Sequence, residues 1–158
     1  MKIAMFGHKR IPSREGGVEI VVEELASRMV KTGNEVTCFN RNGKGCVSQK
    51  YGKRYNFNGI EVKTVPTIDK KGMAAVTAAF FSSVMAAFGK YDIVHIHAEG
   101  PAFFSWIPKL FHKKIVVTVH GLDWQREKWK GGFGAKFIRK GEENAVKYAD
   151  EIIVLSKN

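Results

Sequence analysis

Six short runs of apolar and β-branched residues alternate with stretches of helical periodicity along the 158-residue chain. The runs predict strands at residues 2–6, 35–39, 59–66, 92–97, 114–120 and 151–155. The stretches between them predict helices at residues 17–31, 72–88, 102–111 and 135–149. Strands that alternate with helices indicate βαβ units and a parallel sheet. With right-handed crossovers, the expected strand order is 3-2-1-4-5-6, in a three-layer αβα, doubly wound, Rossmann-like α/β domain.

Two stretches depart from this regular alternation. Residues 41–59 carry several Gly, Lys and Asn residues and predict a long exposed loop or an excursion hairpin. The strand at 59–66 alternates apolar and polar residues, so we expect it at a half-solvated edge of the sheet. With 44% hydrophobic residues, the chain has enough apolar side chains for one core and therefore one domain.

The composition restricts the partners and the compartment. A formal net charge of +11 favours anionic partners, but the basic residues form no long run, which weakens a nucleic-acid interpretation. Cys38 and Cys46 show neither metal spacing nor a disulfide framework, and the N-terminus does not resemble a signal peptide. The apolar stretch 73–88 is short for a membrane span. A cytoplasmic protein is the expectation.

The loop after the first strand is a candidate anion site. It carries Arg10 and Arg14 and ends in Gly16-Gly17, where the first helix begins. Glycine lets a ligand approach the backbone closely, and a helix N-terminus offers unpaired N–H groups and a partial positive charge. An ordinary strand-to-helix connection remains the alternative for this segment.

Ionisable residues also follow two other predicted strands. His97 and Glu99 come after the fourth strand, and His120 and Asp123 come after the fifth. In a doubly wound sheet, ligands bind beyond the carboxyl ends of the strands. A plain loop role is equally open for His97 and Glu99, and Asp123 also suits a turn or a helix cap. His120 is the stronger candidate, because a histidine that ends a buried strand before a glycine has little packing purpose.

The neighbouring residues are interpreted more conservatively. His95 shares a strand face with Ile93, so we expect it to be a structural histidine. Arg126 and Lys128 lie between two tryptophans in the loop after the fifth strand, over the proposed site. Tryptophans in such a loop are more often packing residues than ligand contacts.

Several catalytic motifs are absent from the sequence. There is no Gly-x-Gly-x-x-Gly after the first strand and no Gly-x-x-x-x-Gly-Lys-Ser/Thr, which argues against a dinucleotide-dependent oxidoreductase and a P-loop enzyme. No Asp-x-Asp pair or His/Cys cluster indicates a metal site. No serine occupies a nucleophile elbow.

Three segments together resemble the N-terminal domain of the retaining GT-B glycosyltransferases of family 4. The first is the loop that ends in Gly16-Gly17-Val18-Glu19, with the helix that follows it. The second, residues 117–129, is similar to the bacterial capsular and rhamnosyltransferase-like branch of that family. The third, residues 149–156, is similar to the last strand of the domain. The resemblance covers essentially the whole chain.

The resemblance implies the following organisation and roles. Residues 1–158 would form the acceptor-side domain, and the C-terminal nucleotide-sugar domain, with its Glu-x7-Glu motif, would be absent from this chain. His120 would be the catalytic residue, close to the reacting carbon of the transferred sugar. The donor-side residues would be Arg14, Gly16, Gly17 and Asp123. The acceptor-side residues would be His97, Glu99, Arg126 and Lys128.

The resemblance also implies a reaction. A sugar would be transferred from a nucleotide-sugar to a lipid-linked glycan acceptor with retention of the anomeric configuration. The reaction would need no metal or other cofactor. The leaving phosphate would assist removal of the acceptor proton. The enzyme would work in cell-surface polysaccharide synthesis, at the inner face of the plasma membrane. No nucleic-acid partner is expected. The isolated half would be inactive.

Other functions remain open at this stage. A non-catalytic module that binds a phosphorylated ligand or a glycan is the first alternative. A nucleic-acid-binding domain would need exposed aromatic residues interleaved with cations and strongly salt-dependent binding. The basic surface suits an anionic membrane, and it is equally explained by a need for solubility.

Overall fold

The computed structural model describes residues 1–43, 51–121 and 132–155. Its strands are β1 (Lys2–Phe6), β2 (Glu35–Arg41), β3 (Arg54–Phe57), β4 (Ile60–Val65), β5 (Ile93–His97), β6 (Lys114–Val119) and β7 (Glu151–Val154). Its helices are α1 (Gly17–Lys31), α2 (Ala74–Phe88), α3 (Glu99–Ala102), α4 (Trp106–Leu110) and α5 (Phe133–Tyr148).

The strands form a single seven-stranded sheet in the order β3-β4-β2-β1-β5-β6-β7. All neighbouring strands pair in parallel except β3, which is antiparallel to β4. The order of β4, β2, β1, β5, β6 and β7 is the predicted order 3-2-1-4-5-6. The Rossmann-like α/β class predicted from the sequence is therefore confirmed.

The prediction that the strand at 59–66 forms the sheet edge is wrong, because β3 pairs along its outer side. Of the region 41–59, predicted as a long loop or an excursion hairpin, residues 54–57 form β3, and Asn58 and Gly59 connect this strand to β4 in a hairpin. Both residues have positive φ, 49° and 84°, as a two-residue hairpin turn of the primed type requires. The opposite edge is β7, whose four residues are all exposed.

Alternating side chains of the strands build a core on each face of the sheet. Ile3 and Met5 of β1 join a cluster that includes Val22 and Ala26 of α1. Ala4 and Phe6 point the other way and join a cluster with residues of α2, α3 and α5. The sheet is thus the middle of three layers, with α1 on one side and α2, α3 and α5 on the other.

The helix predicted at 102–111 is interrupted in the structure. It is divided into α3 and α4, which are linked by turns with i to i+3 hydrogen bonds. Pro108 explains part of this break, since it has no N–H to donate to the carbonyl of Phe104. That carbonyl instead accepts a hydrogen bond from the N–H of Ile107, at 3.0 Å.

The fully buried positions of α2 are small residues, and Phe81 packs against the core beside them. The face that includes Ala78, Ala79, Ser82 and Ala86 is buried, whereas Phe88 is 72% exposed. The helix contains no charged residue along its 15 positions. Within the described ranges, no helix combines the length and the apolar character needed to cross a bilayer.

Candidate active site

A cleft of about 1180 Å³ opens at the carboxyl edge of the sheet. Residues that follow five different strands line it: Gly7 after β1, Gly43 after β2, Ala98 after β5, His120 after β6 and Leu155 after β7. This is the edge at which a doubly wound sheet binds its ligands. The topology therefore brings the end of each of these strands to one cavity.

The N-terminus of α1 faces this cleft. Gly16, Gly17 and Val18 are among the lining residues, and α1 begins at Gly17. A Cβ added at Gly17 would meet no heavy atom within 4 Å, so the space beside this residue is open. The first N–H groups of a helix have no partner within the helix and carry a partial positive charge. The cleft therefore has a binding surface for an anion at this point.

Basic side chains dominate the charged residues of the cleft wall. Five are cationic and two are carboxylates: Lys9, Arg10, Arg41, Lys70 and Lys71 against Glu19 and Asp69. Burial lowers the pKa of the Arg41 guanidinium, and the Glu19 carboxylate opposes that shift. Arginine stays charged under these conditions, because its ordinary pKa is so high. The field in the cleft favours a multiply charged anion such as a diphosphate.

The end of β1 is tied closely to the end of β5. Gly7 has φ +115°, and a Cβ at this position would overlap the backbone carbonyl of His97. Only glycine adopts this conformation readily and leaves room for the carbonyl. The contact fixes where the loop after β1 leaves the sheet.

Three histidines are stacked between β5 and the end of β6. The rings of His95 and His97 lie 4.2 Å apart between centroids, and the rings of His97 and His120 lie 5.3 Å apart. His97 Nδ1 lies 3.0 Å from His120 Nε2, and His95 Nε2 lies 2.7 Å from Thr118 Oγ1. The strand pairing explains the cluster: His97 is aligned with Thr118, and His120 follows two residues later on the same side.

The inner histidines of this stack are neutral. Burial lowers the pKa of His95 to about 4, and the nearby His120 acts in the same direction. Burial also holds the pKa of His97 well below its ordinary value, and His95, His120 and His8 lower it further. The half-buried His120 is thus backed by uncharged imidazole rings.

The backbone next to this stack is strained. Ala98, which follows β5 directly and lines the cleft, has φ +79° and ψ 156°. This conformation is adopted almost only by glycine and costs on the order of 1–3 kcal/mol. A hydrogen bond of 2.9 Å from the Ala98 N–H to the Thr118 carbonyl helps to hold the residue there.

Comparison of the sequence with protein-family models identifies the family of this chain. Residues 15–158 match the family model named Glycosyltransferase Family 4. The chain belongs to Glycosyltransferase Family 4. A search of curated protein sequences found no match.

Solved structures agree with the fold of this family 4 chain. Sucrose-phosphate synthase from Thermosynechococcus elongatus is similar over 98% of the chain, with a TM-score of 0.68 and 13% sequence identity. The chain covers 47% of that protein, about half of its length. A provisionally assigned short-chain alcohol dehydrogenase from Burkholderia multivorans matches with a TM-score of 0.47 and 12% sequence identity. That match covers 93% of this chain and 74% of the dehydrogenase chain. At these identities the likeness concerns the fold alone, and the predicted GT-B-type domain is confirmed by the first match.

The structure brings together only some of the residues predicted for the site of the family 4 chain. Gly16, Gly17 and His120 line the cleft, as expected for donor-side and catalytic positions. Arg14 is not a lining residue, and its guanidinium lies 3.6 Å from the Glu23 carboxylate on α1. The roles predicted for these residues stay predictions.

Two of the residues predicted for the acceptor side, His97 and Glu99, do not line the cleft. Their side chains are buried, 0% and 1% exposed. The remaining predicted residues lie outside the described residues: Asp123, Arg126 and Lys128. His95 is buried, as expected of a structural histidine.

Sequence reasoning missed part of the basic wall. Arg41 is the last residue of β2, and it escaped notice because the predicted strand ended two residues earlier. Lys70 and Lys71 lie just before α2, at the same edge of the sheet. The rule that carboxyl ends of parallel strands meet at one edge was the signal that would have found Arg41. Among the described side chains, no group of three His, Cys, Asp or Glu residues is arranged to hold a metal ion.

Proposed function

We propose that this chain is the acceptor-side domain of a retaining glycosyltransferase. The enzyme moves a sugar from a nucleotide-sugar to a lipid-linked glycan in cell-surface polysaccharide synthesis, and the donor is a deoxysugar of the rhamnosyl type. The observation that carries the proposal is the cleft itself. His120 and the N-terminus of α1 line one cavity with five basic side chains. Membership in Glycosyltransferase Family 4 supports the reaction class.

The chemistry of sugar transfer explains why such a wall is useful. As the glycosidic bond stretches, negative charge accumulates on the leaving diphosphate. Preorganised N–H donors and cations stabilise that charge, and removing one such donor typically costs about 10²–10³ in turnover. The N–H groups at Gly17 and Val18 and the side chain of Arg41 are suitable donors. The Arg10 guanidinium also lines the cleft, where it is ion-paired with the Glu15 carboxylate. The leaving phosphate then takes the proton of the attacking hydroxyl group on the same face of the sugar.

His120 is proposed to contact the transferred sugar. It stands at the carboxyl end of β6, where its ring meets the cleft and is supported from behind by His97. A rigid ring in this position orients the sugar without an additional conformational cost.

The transfer test uses the longest natural form of the protein, a panel of labelled nucleotide-sugars and a membrane-lipid extract as the acceptor source. Label in the lipid fraction with the anomeric configuration of the donor supports the proposal. We expect His120→Ala to reduce turnover by about 10²-fold. The matched control is His112→Ala, which removes an exposed histidine on the turn before β6.

Normal transfer by His120→Ala protein that remains folded would refute the role proposed for His120. Tight binding of nucleotide-sugars or glycans by the natural protein without transfer to any acceptor would overturn the proposed function and favour the non-catalytic binding module.

Contact with an anionic membrane is part of the same proposal. The segment before α2 exposes Ile68 and Met73 together with Lys70 and Lys71, and the two lysines line the cleft. Apolar side chains beside lysines are typical of a surface that enters the headgroup region of anionic lipids. A lipid-linked acceptor would then reach the cleft from this rim.

Vesicle sedimentation tests the membrane contact. We expect binding to vesicles with phosphatidylglycerol but not to phosphatidylcholine alone, and at least tenfold weaker binding after Lys70→Glu with Lys71→Glu. Lys31→Glu, at the end of α1, is the control with an exposed lysine elsewhere. Equal binding by the double variant and this control would exclude the 68–73 segment as the contact.

A further inference from the structure

We propose that His97 holds His120 in the tautomer that carries its proton on Nδ1, so that His120 is a hydrogen-bond donor toward its ligand. His97 is thus a positioning residue that acts through His120. The identity of the ligand rests on the proposed function, whereas the tautomer is a property of this chain alone.

The geometry leaves one link between the two rings. His97 Nδ1 lies 3.0 Å from His120 Nε2, within hydrogen-bond distance. His97 is fully buried, and its second nitrogen, Nε2, has no hydrogen-bond partner. One ring nitrogen of His97 is therefore paired and the other is buried without a partner.

Two arrangements of protons are compatible with this link. In the first, His97 carries its proton on Nδ1 and donates it to the Nε2 lone pair of His120. In the second, His120 donates from Nε2, and His97 must carry its own proton on Nε2, where no acceptor lies. A buried N–H without an acceptor is rarer in proteins than a buried acceptor without a donor. The first arrangement is therefore favoured.

The surroundings of His97 exclude a third arrangement, in which His97 is charged and donates from both nitrogens. Its ring is stacked on His95, and the imidazoles of His8 and His120 also lie close enough to lower its pKa. Burial and these neighbouring imidazoles keep the pKa of His97 well below its ordinary value. His97 thus stays neutral at physiological pH.

The consequence for His120 follows from the chemistry of imidazole. A neutral ring whose Nε2 accepts a hydrogen bond must carry its proton on Nδ1. His120 then offers an N–H to an oxygen atom, such as a sugar hydroxyl group or a phosphate oxygen. It does not act as a general base through Nε2, because that lone pair is already engaged by His97.

Long-range ¹H–¹⁵N correlation spectra of the ¹⁵N-histidine-labelled chain at pH 8 test the tautomer directly. We expect a protonated Nδ1 and an unprotonated Nε2 for His120, assigned by comparison with His120→Gln protein. A protonated Nε2 in the unsubstituted chain would overturn the proposal without any variant of His97.

Two variants of His97 test the causal link. His97→Leu removes the donor, so the preference of His120 for a proton on Nδ1 should weaken, and a detectable share of the protein should carry the proton on Nε2. His97→Asn keeps an N–H near the position of Nδ1, so it should retain the original tautomer. Folded His97→Leu protein with an unchanged His120 spectrum would refute the role of His97. If His97→Leu does not fold, loss of the Nδ1 proton in the His97→Asn variant would refute it instead.

Activity provides the second readout. In the complete enzyme we expect His97→Leu to lower kcat by about tenfold, the value of one hydrogen bond, and His97→Asn to recover most of it. The spectra test the tautomer and the transfer assay tests the proposed function, so the two hypotheses can be refuted separately. An Nδ1 proton together with nucleotide-sugar binding but no transfer to any acceptor by the unsubstituted protein would leave this inference intact and refute the proposed function, whereas an Nε2 proton with normal transfer would do the reverse.

Discussion

Replacing Gly17 by alanine separates ligand binding from folding in this chain. Gly17 is exposed, is the first residue of α1 and has an ordinary φ, so alanine fits its conformation. An added Cβ meets no protein atom within 4 Å, and the space that it enters is the cleft. The substitution therefore changes the surface that a ligand meets and leaves the packing of the fold intact.

The substitution should stabilise the folded protein slightly and weaken the binding of a phosphate. In the folded protein, glycine to alanine at a compatible position stabilises by about 0.4–1 kcal/mol, because the unfolded chain loses conformational freedom. For a bound phosphate, a methyl group at the start of the helix prevents close approach to the N–H groups. Losing one hydrogen bond to a charged ligand costs about 1.5–3 kcal/mol. That corresponds to a decrease in affinity of roughly 10- to 150-fold.

Two measurements on the same protein test both halves of this prediction. Differential scanning calorimetry of Gly17→Ala should give an equal or slightly higher Tm. Isothermal titration with pyrophosphate should give a Kd at least tenfold higher than that of the unsubstituted protein. Gly132→Ala is the control: its Cβ also meets nothing within 4 Å, but Gly132 does not line the cleft.

Unchanged pyrophosphate affinity in folded Gly17→Ala protein would refute the anion site at the N-terminus of α1. A large decrease in Tm would refute the claim that the space beside Gly17 is open. Equal losses of affinity in Gly17→Ala and Gly132→Ala would show that the effect is not specific to α1.

Three further predictions concern stability and cofactor dependence. Gly7→Ala should lower the free energy of unfolding by at least about 2 kcal/mol in urea titrations, because alanine is strained at φ +115° and its Cβ overlaps the His97 carbonyl. Stability near that of the natural chain would contradict the contact. The pKa of His8 and that of His95 are each lowered by burial to about 4, from an ordinary 6.5, so the unfolded chain binds more protons between these values. The free energy of unfolding should therefore be highest above pH 6.5 and should fall as the pH drops to 4, by about 3 kcal/mol for each histidine. Urea midpoints at pH 8, 6 and 5 would detect this decrease. Equal midpoints from pH 7 to 5 would be inconsistent with buried neutral histidines. Sugar transfer by the complete enzyme should persist in EDTA, because basic side chains and helix N–H groups can neutralise the leaving diphosphate; loss of transfer that Mg²⁺ restores would require a metal.

Much of the fold was readable from periodicity because the parallel strands are buried. Residues 115–117 of β6 are all apolar and β-branched, which is typical of a strand covered on both faces. The bounds of β3 and its pairing with β4 were not predicted, because its sequence Arg-Tyr-Asn-Phe is short and half polar, as suits an antiparallel edge. The break between α3 and α4 was also missed, since the helical pattern around Pro108 does not show where the hydrogen bonds fail.

The site was predictable only in outline, because strand ends can be located in a sequence but side-chain depth cannot. His120 was recognised from its place after a buried strand, and it does line the cleft. The acceptor-side role of His97 stays a prediction, and nothing in the sequence indicated that its ring lies against that of His120. The spacing of His95 and His97 puts them on one strand face, but only the strand pairing shows that His120 joins them.

The two edges of the sheet have different consequences for handling the chain in solution. The β3 edge is four residues long and exposes Arg54 and Asn56, which discourages pairing with another strand. The β7 edge exposes Ile152, Ile153 and Val154, and exposed apolar edge strands are the usual starting points of aggregation. Concentrated samples of this chain should therefore self-associate through β7, and a lysine at position 153 or 154 is the substitution that would extend their shelf life.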